Sequence, residues 1–341
     1  MGKRVTLKQI AQEVGVSVMT VSRALNNHSN VDERTRQRIL ETARRLGYTP
    51  NHIAKSLVLK KTFTIGVVVP EITHSFFPEV IRGIEEVAYD AGYQLILTHS
   101  AEDFERELKA IQTLEAKRVD GILISTAQTV ADYEGYRRLI DMNYPIVFYD
   151  RCVEGIGASC VSINDEESAE AITQHLLAHG YKEIAHLCGP QKVSIGRSRL
   201  AGFRKALQRA QVPVREEWIV ESGFHEEGGY RAMKRLLEQS GNGYPRAVVA
   251  VNDPAAFGAM QAIQEAGLRI PEDIAIVGFS DDIRAALMPA PLTTVRQPAY
   301  EVGRRAARKL IDIIEEKNTA VEEIVVQTEI VVRRSCGCGE E

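Results

Sequence analysis

The 341-residue chain has no long apolar run. Its longest hydrophobic stretches, such as 65–70, are far shorter than the roughly 20 residues needed to cross a bilayer as a helix. The opening MGKRVTLKQI has no apolar segment of the kind that directs secretion. Five cysteines are an odd number without framework spacing. Together these absences predict a cytoplasmic protein in a reducing compartment, with no membrane partner and no disulfide scaffold. Catalytic signatures are missing as well. There is no G-x-S-x-G elbow and no G-x-G-x-x-G opening a helix. The segment GPQKVSIG lacks the Gly-Lys-Ser/Thr of a phosphate-binding loop. No enzyme and no cofactor is expected.

What is present is an asymmetry of charge. Of 42 Lys and Arg and 46 Asp and Glu, the first 60 residues hold 11 and 4, leaving 31 and 42 for the remainder. A compact basic piece on an acidic body predicts a polyanionic partner for the first piece alone. Its sequence reads as three short helices. Thr6 and Gln9 form a capping box. Leu7, Ile10, Ala11 and Val14 then recur at helical spacing, and Gly15 ends the helix. Ser17 caps a second helix, with Val21, Ala24 and Leu25 inward. Asp32 caps a third, with Ile39, Leu40, Ala43 and Leu46 inward, and Gly47 stops it. Two helices joined at a glycine turn are a helix-turn-helix unit. Outside its core the second helix leaves Ser17, Val18, Met19, Thr20, Ser22 and Arg23, groups suited to phosphate oxygens and base edges. Pro50 ends this unit, and Asn51 opens a short helical linker carrying Ile53, Ala54, Leu57 and Val58.

From Thr64 the pattern changes to alternating strands and helices in two successive series, which predicts parallel sheets covered on both faces. Ligands in such folds bind beyond the carboxyl ends of strands. The strand ends supply His74, Phe76 and Phe77, Asp150, Arg197 and Arg199, Asn252 and Asp253, then Ser280, Asp281 and Asp282. Carboxylates, an amide and guanidinium forks suit a polyhydroxylated ligand, and Phe76, Phe77 and Phe224 suit the apolar face of a ring. His175 and His179, four apart on a helix, lack an evident third metal ligand and are read as an ordinary helix face. Cys336 and Cys338 are read as part of a loose tail, so no metal site is expected.

The segments VTLKQIAQEVGVSVMTVSRALN, GYTPN and NHIAKSLVLKKT closely resemble the headpiece of the lactose-repressor/galactose-repressor (LacI/GalR) family. RVDGILI, RLAGF, NDPAAFGAMQA, RIPEDIAIVGF and PLTTVRQP resemble its periplasmic-binding-protein-like core. The resemblance implies an all-α helix-turn-helix headpiece at 1–50, a hinge at 51–61, and a two-lobed α/β core with parallel sheets at 62–341. The N-lobe is expected at about 62–161 plus 293–324, the C-lobe at about 162–292 plus 325–341. It implies DNA contacts from Thr6, Asn26 and Tyr48 beside the second helix, and from Asn51, Ala54 and Leu57 in the hinge, Leu57 wedging into the minor groove. It places Asp150, Arg199, Phe224, Asn252 and Gln297 at effector-contacting positions. Where the family carries an acid after its Gly-aromatic pair, this chain has Ser280 with Asp281 one later, so either is a candidate to face the ligand. The implied function is a ligand-responsive repressor, binding near-palindromic double-stranded operator DNA as a homodimer, with a sugar, sugar acid or sugar phosphate as effector. A transport-type solute-binding protein and a sugar-modifying enzyme are the alternatives. The basic headpiece argues against the first, and the lack of a nucleophile or acid–base pair against the second.

Overall fold

A computed structural model describes residues 5–26, 28–48, 61–238 and 243–338. The chain divides into two compact units, residues 1–62 and 63–341. The expected hinge positions Asn51, Ala54 and Leu57 lie outside the described residues.

The first unit contains α1 (Leu7–Val14), α2 (Val18–Leu25) and α3 (Glu33–Leu46). The local signals act as expected. Thr6 and Gln9 complete a reciprocal capping box, and Gly15 ends α1 with φ of 78°. That left-handed conformation is cheap only for glycine. The Ser17 side chain caps α2 and the Asp32 side chain caps α3. Ile10, Ala11, Val14, Val21, Ala24, Val31, Ile39 and Ala43 form the core, while Leu25 and Leu46 are half-buried at its edge.

In the second unit the elements of the first series are β1 (Thr64–Val69), α4 (Phe76–Asp90), β2 (Gln94–His99), α5 (Phe104–Ala116), β3 (Gly121–Ile124), α6 (Glu134–Asp141), β4 (Ile146–Tyr149) and β5 (Ser159–Ile163). The second series runs α7 (Asp165–Ala178), β6 (Ile184–Cys188), α8 (Ser194–Arg209), β7 (Ile219–Glu221), α9 (Glu226–Glu238), β8 (Ala247–Ala250), α10 (Asp253–Glu265), β9 (Ala275–Ser280) and β10 (Thr293–Arg296). The chain then returns through α11 (Ala299–Ile314) and β11 (Glu323–Val326), and ends on β12 (Glu329–Val331) and a terminal turn, Arg334–Cys336.

Two six-stranded sheets result, ordered β11-β5-β4-β3-β1-β2 and β12-β10-β9-β8-β6-β7. All pairings are parallel except that of β12 with β10. The two orders repeat the same winding, so the lobes are topological copies. The chain crosses between them after β5, after β10 and after β11. The expected crossing at 292/293 falls one strand too early, because β10 still pairs with β9.

Three further features differ from expectation. Cys152 and Cys160 form a disulfide, with Cα atoms 5.9 Å apart. β4 and β5 are adjacent parallel strands, and the loop between them folds Cys152 back beside Cys160. Cysteine usage therefore does not argue for a reducing compartment. Arg199, expected at a strand end, lies instead on the buried face of α8, which begins at Ser194. The terminal segment is not loose: Ser335 and Cys336 are fully buried. Among the described residues no helix is long and apolar enough to cross a membrane.

Candidate reading helix and ligand cleft

On the first unit, the N-terminal end of α2 carries an exposed surface. Val18 and Met19 are 44% and 63% exposed, and Ser17 and Arg23 are exposed beside them. Thr20 and Ser22 are half-buried. The Ser17 hydroxyl is 2.8 Å from that of Thr20 and accepts the Thr20 N–H at 3.1 Å, which fixes both at the helix start. Helix N-termini favour anions through free N–H groups and the macrodipole. Among the described residues Arg23 has no ion-pair partner. The Asn26 amide donates to the Ser22 carbonyl at 2.8 Å, Thr6 is held in its capping box, and Tyr48 packs against the headpiece core. These three serve the fold at least as directly as they would a ligand.

In the second unit the carboxyl ends of strands from both lobes meet around a narrow pocket with about 40 Å³ of enclosed free space. His74, Phe76 and Phe77 follow β1, and Asp150 follows β4. Arg199 comes from α8, and Phe224 follows β7. Asn252 follows β8, Ser280 ends β9, and Gln297 follows β10. These nine of the expected residues line the space. Parallel strands bring them together because every strand of this type ends on the same edge of its sheet.

The chemistry is set by buried charge. Arg199 is 2% exposed. Its Nε donates to Asp165 Oδ1 at 2.7 Å and its Nη1 to the Val251 carbonyl at 2.6 Å, while its plane lies 3.7 Å over the Phe279 ring. Among the described residues no hydrogen bond uses Nη2. Asp150 is held up to about 6, chiefly by burial and against the pull of Arg151. Its backbone has φ of 58°, a strained conformation for a non-glycine residue of the kind that gathers at binding sites. Asn252 accepts the Ala255 N–H, capping α10, and donates to the Phe224 carbonyl at 2.9 Å, which holds that loop in place. At the mouth, the His74 and His225 rings are 5.2 Å apart, and His74 is held below its ordinary pKa by burial and by His225.

Three expected residues do not line the cleft. Arg197 is at the surface, donating to the Gln191 and Lys192 carbonyls. Asp253 is buried beneath the floor, accepting the Thr294 hydroxyl at 2.6 Å and the Asp282 N–H at 2.7 Å. Asp281 is drawn away by Arg296 at 2.6 Å and Arg333 at 2.7 Å. Ser280 is thus the residue of that pair facing the space. Asp282 also lines the pocket, accepting the Ser75 hydroxyl at 3.0 Å from the opposite lobe and Arg284 Nε at 3.0 Å.

The lining residues that sequence reasoning missed are Arg151, Ile195 and Pro254. Arg151 is 4% exposed, pairs with Glu102 at 2.7 Å, and lies 4.4 Å over the Phe224 ring. Its Nε is buried without a hydrogen-bond partner among the described residues, 3.9 Å from Asp150 Oδ2. Its position directly after the strand PIVFYD was a usable signal, and so was that of Pro254 after VVAVND.

Residues 6–51 match a domain described as bacterial regulatory proteins, lacI family, and residues 173–336 match a periplasmic binding protein-like domain. HTH-type transcriptional repressor PurR of Vibrio parahaemolyticus is 33% identical over 332 residues, covering 97% of this chain and 98% of that protein. The crystal structure of the lac repressor dimer bound to operator and the anti-inducer ONPF is similar at a TM-score of 0.88 and 27% identity, covering 98% of this chain and 99% of that one. The transcriptional regulator CelR–cellobiose complex is similar at a TM-score of 0.73 and 30% identity, covering 97% and 100%.

Proposed function

Since the chain belongs to the lacI family of bacterial regulatory proteins, and is a DNA-binding, ligand-responsive transcriptional regulator and no enzyme, we propose that it represses genes from a near-palindromic operator, as a cytoplasmic homodimer, and that a small carbohydrate-type molecule in its interlobe cleft controls binding. The observation that carries the effector class is the pocket's chemistry. Asp150, Asn252, Ser280 and Gln297 line it and can meet hydroxyls, with Arg199 donating from two nitrogens to Asp165 and the Val251 carbonyl. Phe76, Phe77 and Phe224 line it as well. Short polar groups beside aromatic rings match the hydroxyl and C–H faces of a sugar. The similarity to a cellobiose complex supports the same class.

The DNA reading rests on the exposed face of α2. It makes residues 1–50 the reading unit, 51–61 a hinge in which Asn51, Ala54 and Leu57 meet the minor groove, and 62–341 the effector and dimerisation core. A thermal-shift screen of sugars, sugar acids and sugar phosphates identifies the ligand, since a ligand specific to the native state raises the melting point. A gel shift on the protein's own upstream DNA, with and without that ligand, then reads control. A hit that melts the protein higher but leaves the DNA complex unchanged at saturation would refute effector control.

A further inference from the structure

Two groups of residues that neither the headpiece nor the cleft uses meet at one point on the second lobe. His175 lies in the last turn of α7 and His179 caps its C-terminal end, and their four-residue spacing brings the rings side by side, 4.6 Å between centroids. The terminal segment crosses beside them. Cys338 Sγ lies 3.0 Å from His179 Nε2, 3.3 Å from His175 Nε2 and 2.8 Å from Cys336 Sγ. His175, Cys336 and Cys338 each offer a ligand atom, all within 4.8 Å of one another.

The surrounding structure holds these atoms in place. Gly337 has φ of 82°, and a Cβ there would stand 2.7 Å from the Tyr181 hydroxyl. The left-handed backbone favours glycine there, and the resulting turn brings the two flanking sulfurs to the same helix. Ser335 pins the turn to the sheet, donating to the Ile276 carbonyl at 2.6 Å and accepting the Thr293 N–H at 2.8 Å. His179 Nδ1 lies 2.7 Å from the His175 carbonyl oxygen. A carbonyl only accepts, so Nδ1 carries the proton and Nε2 presents its lone pair towards the sulfur. That is the arrangement by which metal-bound histidines are oriented.

We propose that His175, His179, Cys336 and Cys338 are the four ligands of a structural zinc ion that clasps the terminal segment to α7. Two thiolates and two imidazoles form a borderline-soft set that suits zinc over calcium or magnesium, and four protein ligands leave no open position for catalysis. Tetrahedral zinc at ordinary bond lengths separates its ligand atoms by about 3.3–3.8 Å. The three short separations around Cys338 widen to reach that, and His179, outside the group of three that lies within 4.8 Å, closes in as the fourth ligand. The clasp lies in the same segment as Arg333, which holds Asp281 out of the cleft and donates to the Leu292 carbonyl at 2.8 Å. The metal thereby supports the strand end that presents Ser280.

The test uses the full chain, purified reduced and without chelator. Elemental analysis is expected to find one zinc per chain. Exchange with cobalt(II) alone should give the absorption bands of a tetrahedral site with thiolate charge transfer. Cys336→Ser/Cys338→Ser should abolish those bands and lower zinc content about tenfold or more. His179→Ala, at an exposed position, should weaken binding while leaving the fold intact. Should the double variant fail to fold, the wild type still decides: a strong chelator should lower its melting point, and zinc but not magnesium should restore it. Three results each overturn the proposal: reduced protein that binds no zinc and gives no cobalt thiolate band, a Cys336–Cys338 disulfide in its place, or zinc retained by a folded double variant.

Discussion

Asp150 and Arg199 illustrate how single residues serve the cleft under constraint. Burial raises the Asp150 carboxyl to about 6. A sugar hydroxyl donates well to the ionised carboxylate and less well to the protonated acid. Effector affinity measured by calorimetry should therefore rise as pH climbs from about 5 to about 7, through the value of this group. Asp150→Asn should flatten that rise, and an equally steep rise in the variant would assign it elsewhere. Arg199 combines two roles, because it lines the cleft and also pairs with Asp165. Removing one member of a buried pair strands the other charge, at a cost of about 3–5 kcal/mol. Arg199→Ala should lose thermal stability without ligand as well as ligand response. Arg199→Ala/Asp165→Ala should recover part of the stability and none of the response, as read by melting curves and titration.

At the scale of elements, helix surfaces decide two outcomes. The exposed residues of α2 contribute little to the headpiece core, so replacing Val18 and Met19 with polar residues should leave its unfolding free energy within about 0.5 kcal/mol of wild type. Selection from random DNA should nevertheless change. Apolar side chains there favour thymine methyls, and Arg23 suits a bidentate contact to guanine. An unchanged consensus would remove α2 from the reading role. The packing of α4 on α11 depends on backbone approach. A Cβ at Gly83 would stand 2.1 Å from the Tyr300 carbonyl oxygen, and one at Gly303 2.0 Å from that of Val80. Gly83→Ala must push the helices apart and should destabilise the body by about 1–3 kcal/mol, measured by urea denaturation.

For the molecule as a whole, the charge asymmetry separates the two tasks. Binding to DNA should fall steeply with salt, by roughly 10³–10⁵ between 50 and 200 mM if a dimer neutralises 6–10 phosphates. Effector binding by the acidic body should change far less. A fragment of residues 62–341 should retain the effector response in thermal shift and lose operator binding entirely. Operator binding that survived loss of the first 60 residues would overturn the assignment of the headpiece. Two-fold symmetry of a dimer also requires a near-palindromic consensus, which the same selection experiment reads.

The sequence by itself determined whatever acts over a few residues. Capping by Thr6, Ser17 and Asp32, the stops at Gly15 and Gly47, and the apolar periods placed the helices of the headpiece. Alternating strands and helices placed most cleft residues, because a parallel strand's carboxyl end is visible wherever a hydrophobic run stops. The return segment, with β10, α11, β11 and β12, was not assigned as elements, since its sheet membership depends on partners far away in the chain. Only the tertiary structure decided that Ser280 and not Asp281 faces the cleft, because the choice is made by Arg296 and Arg333. It also paired Arg199 with Asp165, joined Cys152 to Cys160, and brought His175 and His179 to Cys336 and Cys338 across about 160 residues. Local propensity carries no information on such meetings; they are set by sheet order and strand register, which exist only once the chain has folded.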